Sequence, residues 1–555
     1  MEWLQVGGSV WVVNGAERIR IEGSAWRVQD AGDEKETDKR GVSDARSDVP
    51  VSGDVIIVGG QGYGGAGGEA EVEAEANSKA WKLLQLHTIN KGAPAFGAES
   101  EGAICKRLTR AGVAVWSWRG TESASSSEGG RLGERKRVNG NGNVRESRRT
   151  FASTSTNTST LPSKNVKAYK QPVEALRSFR VSLFQLLPIE VERLPLHGNG
   201  VMMLGSGSGL LQEEDSRYRP LTRLASRALY ACGLDCGSVW INADEHGRCA
   251  VASVGLPSHQ QLLDMESIWG RAVAKLAQQL VEAETESGQG QKVLLGADPE
   301  FLLLSESGRV VSAARYLQGG HGAGCDSVLI GGQIKYPVAE LRPAPTDSPT
   351  ELARNIQKLL LQAAKRIPDQ PPLRWAAGGM PAAGFSLGGH LHLSGVPLSG
   401  RLLRLLDSYI AFPLAMIESP AEQERRPRYG SLGDFRLQPH GGFEYRTLPS
   451  WLVSPLAAKA AFALALLCAR ECDALEACPA AEERYIDAYY AGDRDTLRGC
   501  MDELAMSMEE TKSYRELAIW IEPLLDAIRS GKTWDTEADI RAKWGILRAG
   551  ARSTV

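Results

Sequence analysis

LLGADPEFLLL at 294–304, YPVAELRPAP at 336–345, GGHLHLSG at 388–395 and GGFEYRTLPS at 441–450 share one pattern. Each carries two polar functional groups two residues apart: Asp298 and Glu300, Glu340 and Arg342, His390 and His392, Glu444 and Arg446. In a strand, residues i and i+2 share a face while i+1 points the other way. The intervening residues Leu341, Leu391, Leu393 and Tyr445 are apolar. Four strands are therefore predicted, each with a polar face and a core face. In one antiparallel sheet they make a concave polar surface backed by helices.

Taken singly, each pair also fits an ordinary strand. An exposed Glu–Arg pair is worth little, and a His-x-His pair can be structural, although two imidazoles on one face need hydrogen bonds or a ligand. Four such pairs in one region point to a site. Asp298, Glu300, Glu340, Glu444 and one histidine supply mainly oxygen donors, which suit Mg²⁺ or Mn²⁺ better than zinc. Arg342, Arg446 and either Arg436 or Arg428 add fixed positive charge, as phosphoryl transfer requires when negative charge spreads over the moving group. Clustered carboxylates repel a nucleotide unless metal ions bridge them, so the two sets imply each other.

The stretch RPRYGSLGDFRLQPHGGFEYRTLPSWLVSP (426–455), with GADPEF, ELRPAP and GGHLHLSG, closely resembles the carboxylate–amine ligases of the glutamine synthetase and glutamate–cysteine ligase superfamily. The nearest group is the phage-type COOH-NH2 ligases, type 2. The resemblance implies a metal site of Asp298, Glu300, Glu340, His390 and Glu444, closed by the Glu-x-Arg of Glu444 and Arg446. It further implies ATP with Mg²⁺ (or Mn²⁺), and a γ-phosphoryl group passed to a substrate carboxylate with Arg446, Arg342 and Arg436 stabilising it. An amine then attacks the acyl phosphate to give an amide. His392 and Arg428 are expected to contact nucleotide or, for His392, the second substrate. Amino acids, peptides and protein termini all remain open as substrates. Two other readings are a scaffold that keeps the ligase fold and a metal-dependent hydrolase, since His-x-His also opens some hydrolase sites.

A chain of 555 residues predicts two or three domains. A formal net charge of −3 argues against a general nucleic-acid binder. The nine cysteines form no CxxC pair and read as reduced thiols of a cytoplasmic protein. The start MEWLQVGGSVW lacks a signal-peptide pattern, and the most apolar run, Ala460 to Ala469, is about half the ~20 residues needed to span a bilayer. No membrane role is expected.

Low-complexity stretches divide the N-terminal half. Residues 27–54 are polar and read as a mobile insert, and GGQGYGGAGG (59–68) as a glycine linker. Its Gly60, Gly62 and Gly65 satisfy GxGxxG, but the acidic EAEVEAEA that follows would repel a pyrophosphate. Residues 120–164, basic and then Ser/Thr-rich, read as a second linker. Helices are predicted over 80–89, 103–111, 221–232 and 265–284, and strands over 179–184, 238–242 and 249–254.

NSKAWKLLQLHTINK, RLTRAGVAVW, FRVSLFQLLPIEVER and LASRALYACGLDCGSVWINADEHGRCAVASVG resemble a degenerate ATP-grasp domain. Arg180 stands where that family carries a nucleotide-facing arginine. The metal-holding Glu-x-Asn pair is replaced by Ser253 and Gly255, so the region is expected to be inactive. The expected fold class is α+β. An ATP-grasp-like region (1–119 and 165–285, inserts at 27–54 and 120–164) precedes a ligase domain at 286–555. That domain is an antiparallel sheet with helices on one face, followed by helices over 456–471, 481–491, 496–508, 514–530 and 533–544.

Overall fold

A computed structural model describes residues 10–14, 17–22, 25–29, 55–58, 88–116, 177–195, 197–198, 201–202, 209–286, 292–330, 333–439 and 441–547. In the N-terminal half, β1 (Val10–Asn14), β2 (Glu17–Glu22), β3 (Ala25–Gln29), β4 (Val55–Val58) and β5 (Thr88–Ile89) form a sheet of order β3-β2-β1-β4-β5. Its β1–β4 and β4–β5 pairings are parallel. The next strands are β6 (Arg177–Phe184), β7 (Leu187–Leu194), the short β8 (His197–Gly198) and β9 (Val201–Met202), then β10 (Gly209–Leu210), β11 (Gly237–Ala243) and β12 (Cys249–Gly255). Five of them make an antiparallel sheet of order β10-β7-β6-β11-β12. The helix Tyr218–Ala231 buries Leu221, Ala225, Ala228 and Leu229. It stops where Gly233 takes φ +77°, the left-handed position that glycine adopts at lowest cost after a helix.

The C-terminal half is built on β13 (Leu294–Ser305), β14 (Val310–Val311), β15 (Gly322–Ile330), β16 (Gln333–Arg342), β17 (Leu373–Ala376), β18 (Gly389–Ser394), β19 (Phe435–Leu437) and β20 (Phe443–Tyr445). Six follow the order β15-β16-β13-β18-β20-β19, with β14 and β17 paired to the far end of β13. The four strands expected from sequence are thus adjacent, β16-β13-β18-β20, and antiparallel. After Glu300 the polar alternation of β13 gives way to Phe301–Leu304, because both faces are covered there. Phe301 and Leu303 join the main core, while Leu302 and Leu304 meet Val338, Ala376 and Leu387 in a smaller one.

Helices Pro349–Arg366 and Pro455–Arg470 pack against the sheet. Each starts with a serine cap and a proline in the first turn, where the missing N–H costs nothing. Leu341, Leu391, Leu393 and Tyr445 are at most 1% exposed on that side. The α+β architecture with helices on one face of the C-terminal sheet is therefore observed.

The halves share one core that runs from Ala225 and Leu229 to Leu402 and Tyr445. Across it, Arg404 pairs with Asp235 at 2.7 Å, Arg110 with Glu483 at 2.6 Å, and Tyr230 donates to Asp407 at 2.5 Å. No described helix is long and apolar enough to cross a membrane. All nine cysteines are free thiols.

Several element readings need correction. Residues 27–29 belong to β3 and are not insert, since β2 offers them a paired edge. Thr88–Ile89 is a strand beside β4 and not a helix end. The helix expected over 496–508 breaks into Arg494–Arg498 and Met501–Glu509 around Gly499. The segment 533–544 is helical only at Ile540–Lys543. The glycine tract, residues 30–54 of the first insert, the 120–164 linker and residues 80–87 lie outside the described residues.

Candidate active site

Strand register assembles the polar groups. Glu300 lies opposite Glu340, Asp298 opposite His390, and His392 opposite Glu444, which also faces Arg436 on β19. Directly opposed residues on one face of an antiparallel sheet stand about 5 Å apart. The result is a continuous charged stripe across five strands. Its carboxylates are withdrawn from water: Asp298 is 7% exposed, Glu300 8%, Glu340 5% and Glu444 0%.

Two clusters result. The ligand atoms of Asp298, His392 and Glu444 lie within 4.8 Å of one another, as do those of Glu300, Asp326 and Glu340. Asp326, on β15, was not read from the sequence. Its neighbours at i±2 are Gly324 and Val328, so it showed no paired signature. His390 Nδ1 sits 3.2 Å from both Asp298 Oδ1 and Glu444 Oε1, and His392 Nε2 is 3.2 Å from Asp298 Oδ2. The sequence reading put His390 among the ligands and His392 toward nucleotide. The described geometry instead groups His392 with Asp298 and Glu444, with His390 between the two carboxylates.

Asp298 Oδ1, His390 Nδ1, His392 Nε2 and Glu444 Oε1 are buried atoms that touch only one another, without a hydrogen bond, while Glu340 Oε2 is taken by Arg342. Buried polar atoms left without hydrogen bonds are costly, and four converging on one strip fit a bound cation. The mainly oxygen donor set fits a hard divalent ion.

Burial pushes the Asp298 carboxyl up, but the adjacent imidazoles of His390 and His392 outweigh it and hold the group well below the usual carboxylate range. Burial raises the Glu300 carboxyl by more than His390 and the Gly388 N–H lower it. It drives the His390 imidazole down, yet Asp298, Glu300 and Glu444 together leave it raised. Gly388 N–H donates to Glu300 Oε2 at 2.6 Å, and a Cβ on Gly388 would sit 2.3 Å from His390 Nε2. Only glycine lets the backbone approach both groups.

The expected arginines take different places. Arg436 pairs with Glu444, whose Oε2 also accepts from Gln438 at 3.1 Å. Arg446 Nε is 3.5 Å from Glu444 Oε1, and its backbone N–H donates to Asp434 O at 2.8 Å. Arg342 is held by Glu340 and by the Gly320 carbonyl at 2.8 Å. Beside the stripe opens a cavity of about 800 Å³ lined by Glu300, Asp326, His390, Arg425, Arg428 and Arg446, with the helix Tyr218–Ala231 on its wall. Arg425, whose two terminal nitrogens donate to the Thr447 and Leu448 carbonyls, was also missed from sequence.

In the N-terminal half, Arg180 is answered by Glu190 at 3.3 Å and Glu192 at 2.6 Å on the adjoining strand. Ser253 pairs in register with Trp240, and the Trp240 ring lies 3.0 Å from where a Cβ on Gly255 would be.

Residues 295–546 match the model of the family described as Phage phiEco32-like COOH.NH2 ligase-type 2, which bears out the resemblance of the C-terminal region. No curated protein matches the chain. Among solved structures, a bifunctional glutathione synthetase from Pasteurella multocida is 12% identical with a TM-score of 0.30, covering 48% of this chain and 50% of that one. A complex of the prokaryotic ubiquitin-like protein Pup with its ligase PafA is 12% identical with a TM-score of 0.29, covering 43% and 65%. A GmaS/ADP complex is 13% identical with a TM-score of 0.24, covering 53% and 82%. This chain thus spans about half the length of the first of these proteins and less than two thirds of the second. TM-scores of this size transfer no activity.

Proposed function

From the COOH-NH2 ligase family that residues 295–546 match, we propose that this chain is an ATP- and divalent-cation-dependent ligase joining a carboxylate to an amine. The observation that carries the reading is the pair of largely buried, oxygen-rich clusters, the first with ligand atoms that make no hydrogen bond, set beside an arginine-lined cavity. Asp298, His392 and Glu444 would hold one cation, and Glu300, Asp326 and Glu340 a second. When bound, these ions supply the positive charge that lets a carboxylate-lined strip accept a triphosphate.

The reaction has two steps. A substrate carboxylate oxygen attacks the γ-phosphorus of ATP, the bond to the β–γ bridging oxygen breaks, and ADP leaves. The amine nitrogen then attacks the acyl carbon, the C–O bond to phosphate breaks, and the amine loses a proton. Arg446 faces the cavity, and its guanidinium stabilises the charge on the moving phosphoryl group. Arg436 and Gln438 brace Glu444, while Arg342 braces Glu340.

The catalytic domain is assigned to 286–555 and a non-catalytic ATP-grasp-like region to the residues before it. Internal pairing of Arg180 and the Trp240 ring at Gly255 both support inactivity there.

The test is incubation with ATP and Mg²⁺ against a panel of amino acids and peptides, with hydroxylamine as a trapping amine. Phosphate release that depends on an acid, with hydroxamate or amide seen by mass spectrometry, is expected. Amide cleavage without ATP would replace the ligase with a hydrolase. No turnover across the panel, with no binding of Mg·AMP-PNP, would leave a scaffold.

A further inference from the structure

The helix Tyr218–Ala231 lies outside residues 295–546, yet it lines the cavity beside Glu300, Asp326 and His390. It does so with Arg219, Arg223 and Arg227. Their i, i+4, i+8 spacing puts all three on one helical face, about 6 Å apart at each step. Like charges at this spacing repel one another unless an anion answers them.

Within the chain that answer is partial. Asp434 accepts from Arg223 at 2.9 and 3.2 Å and lies 3.5 Å from Arg227. Among the described residues no carboxylate lies within 4.0 Å of Arg219, nor of Arg428, which lines the same cavity. The remaining carboxylates on the cavity, Glu300 and Asp326, belong to the cation cluster. Arg219 and Arg223 stand exposed on this wall and Arg227 half-buried, so an anion entering the cavity meets an excess of positive charge there, apart from the cation clusters. Asp434 also ties the wall to the reacting end of the cleft, because its carbonyl accepts the Arg446 N–H at 2.8 Å.

We propose that this arginine ladder binds the acid substrate of the ligase, and that this substrate is an extended acidic peptide presenting several carboxylates. Alternate side chains of an extended chain repeat about every 6.6 Å, close to the 6 Å step of the ladder. Arginine forks suit carboxylates, which they grip through two parallel hydrogen bonds. The proposal rests on the ligase reading for the identity of the cleft. It adds that the N-terminal half selects the substrate.

The test uses the full chain and two probes measured separately: dye-labelled tetraglutamate, with tetraglutamine as control, and Mg·AMP-PNP. Among the described residues the Arg219 side chain has no hydrogen-bond or ion-pair partner, and its carbonyl, which accepts from Thr222, is untouched by the substitution, so Arg219→Gln removes charge without taking a polar contact from the fold. The expected result is tetraglutamate binding that weakens with salt and falls at least tenfold in Arg219→Gln, with partial recovery in Arg219→Lys. Binding of Mg·AMP-PNP should stay within twofold. Undiminished tetraglutamate binding in Arg219→Gln overturns the proposal, as does failure of the parent chain to bind tetraglutamate with Mg·AMP-PNP bound. An equal loss of both probes overturns it too, by assigning the ladder to the nucleotide. A parent chain that binds tetraglutamate through Arg219 but never binds Mg·AMP-PNP keeps the acidic-peptide site and removes the ligase reading.

Discussion

Glu300→Gln separates a cation cluster from an ordinary buried strand residue by the sign of its effect on stability. Glu300, Asp326 and Glu340 bring ligand oxygens within 4.8 Å of one another. At an effective dielectric constant near 20, two full charges at that distance repel by about 3.5 kcal/mol. Arg342 beside Glu340 and the upward push of burial on the Glu300 carboxyl relieve part of this. A residual gain of about 1–2 kcal/mol is expected when the charge is removed, within the usual range for single substitutions. The carboxamide oxygen can still accept the Gly388 N–H, and its NH2 group meets two carboxylates as a donor. In EDTA the variant should therefore melt a few degrees above the parent chain. Added Mg²⁺ should close most of that gap. A cation at 100 times its Kd stabilises the parent by about 2.7 kcal/mol, and a tenfold loss of affinity removes about 1.3 of it. Ligase turnover should drop by two orders of magnitude or more. Differential scanning fluorimetry in EDTA and in Mg²⁺, beside phosphate release, reads all three effects. A variant that melts below the parent in EDTA while keeping its Mg²⁺ gain would refute the cluster.

Other outcomes follow from the same geometry. Arg446→Lys keeps a charge but loses the planar fork, so Mg·AMP-PNP titration should change by no more than a few-fold while kcat falls at least tenfold. Arg180→Ala should leave ATP turnover unchanged, because Glu190 and Glu192 already occupy that guanidinium; abolished turnover would restore a nucleotide role to the N-terminal half. Asp407 is pushed up to about 7 by burial, against hydrogen bonds from Tyr230 and Tyr445. Between its unfolded value near 4 and 7, the folded chain holds a proton that the unfolded chain has lost, so this group's contribution to stability declines as pH rises through that window. Asp407→Asn should flatten that slope in denaturant titrations at pH 5, 6 and 7, whereas an unchanged slope would mean Asp407 is ionised throughout.

The faces of the central strands were legible in the sequence because period-2 alternation is local. Asp298 and Glu300 share one face of their strand whatever surrounds them, as do His390 and His392, and Leu341, Leu391, Leu393 and Tyr445 must turn away from the polar groups beside them. Serine caps, prolines in first turns and Gly233 likewise mark helix ends within a few residues. Strand order and register were not legible, since they depend on which chain segments meet. Register put His392 across from Glu444, and its ring nitrogen within reach of Asp298. It also placed Asp326 beside Glu300 and Glu340, although that lone acid has no polar neighbour at i±2. The arginine ladder was the hardest feature to see. Three arginines at helical spacing carry no local sign of a site. They become the wall of a cleft only because Leu221, Ala225 and Leu229 bury the opposite side of the helix in the core shared with the C-terminal sheet. Local spacing sets which way a side chain points, but the packing of segments hundreds of residues apart sets what it points at.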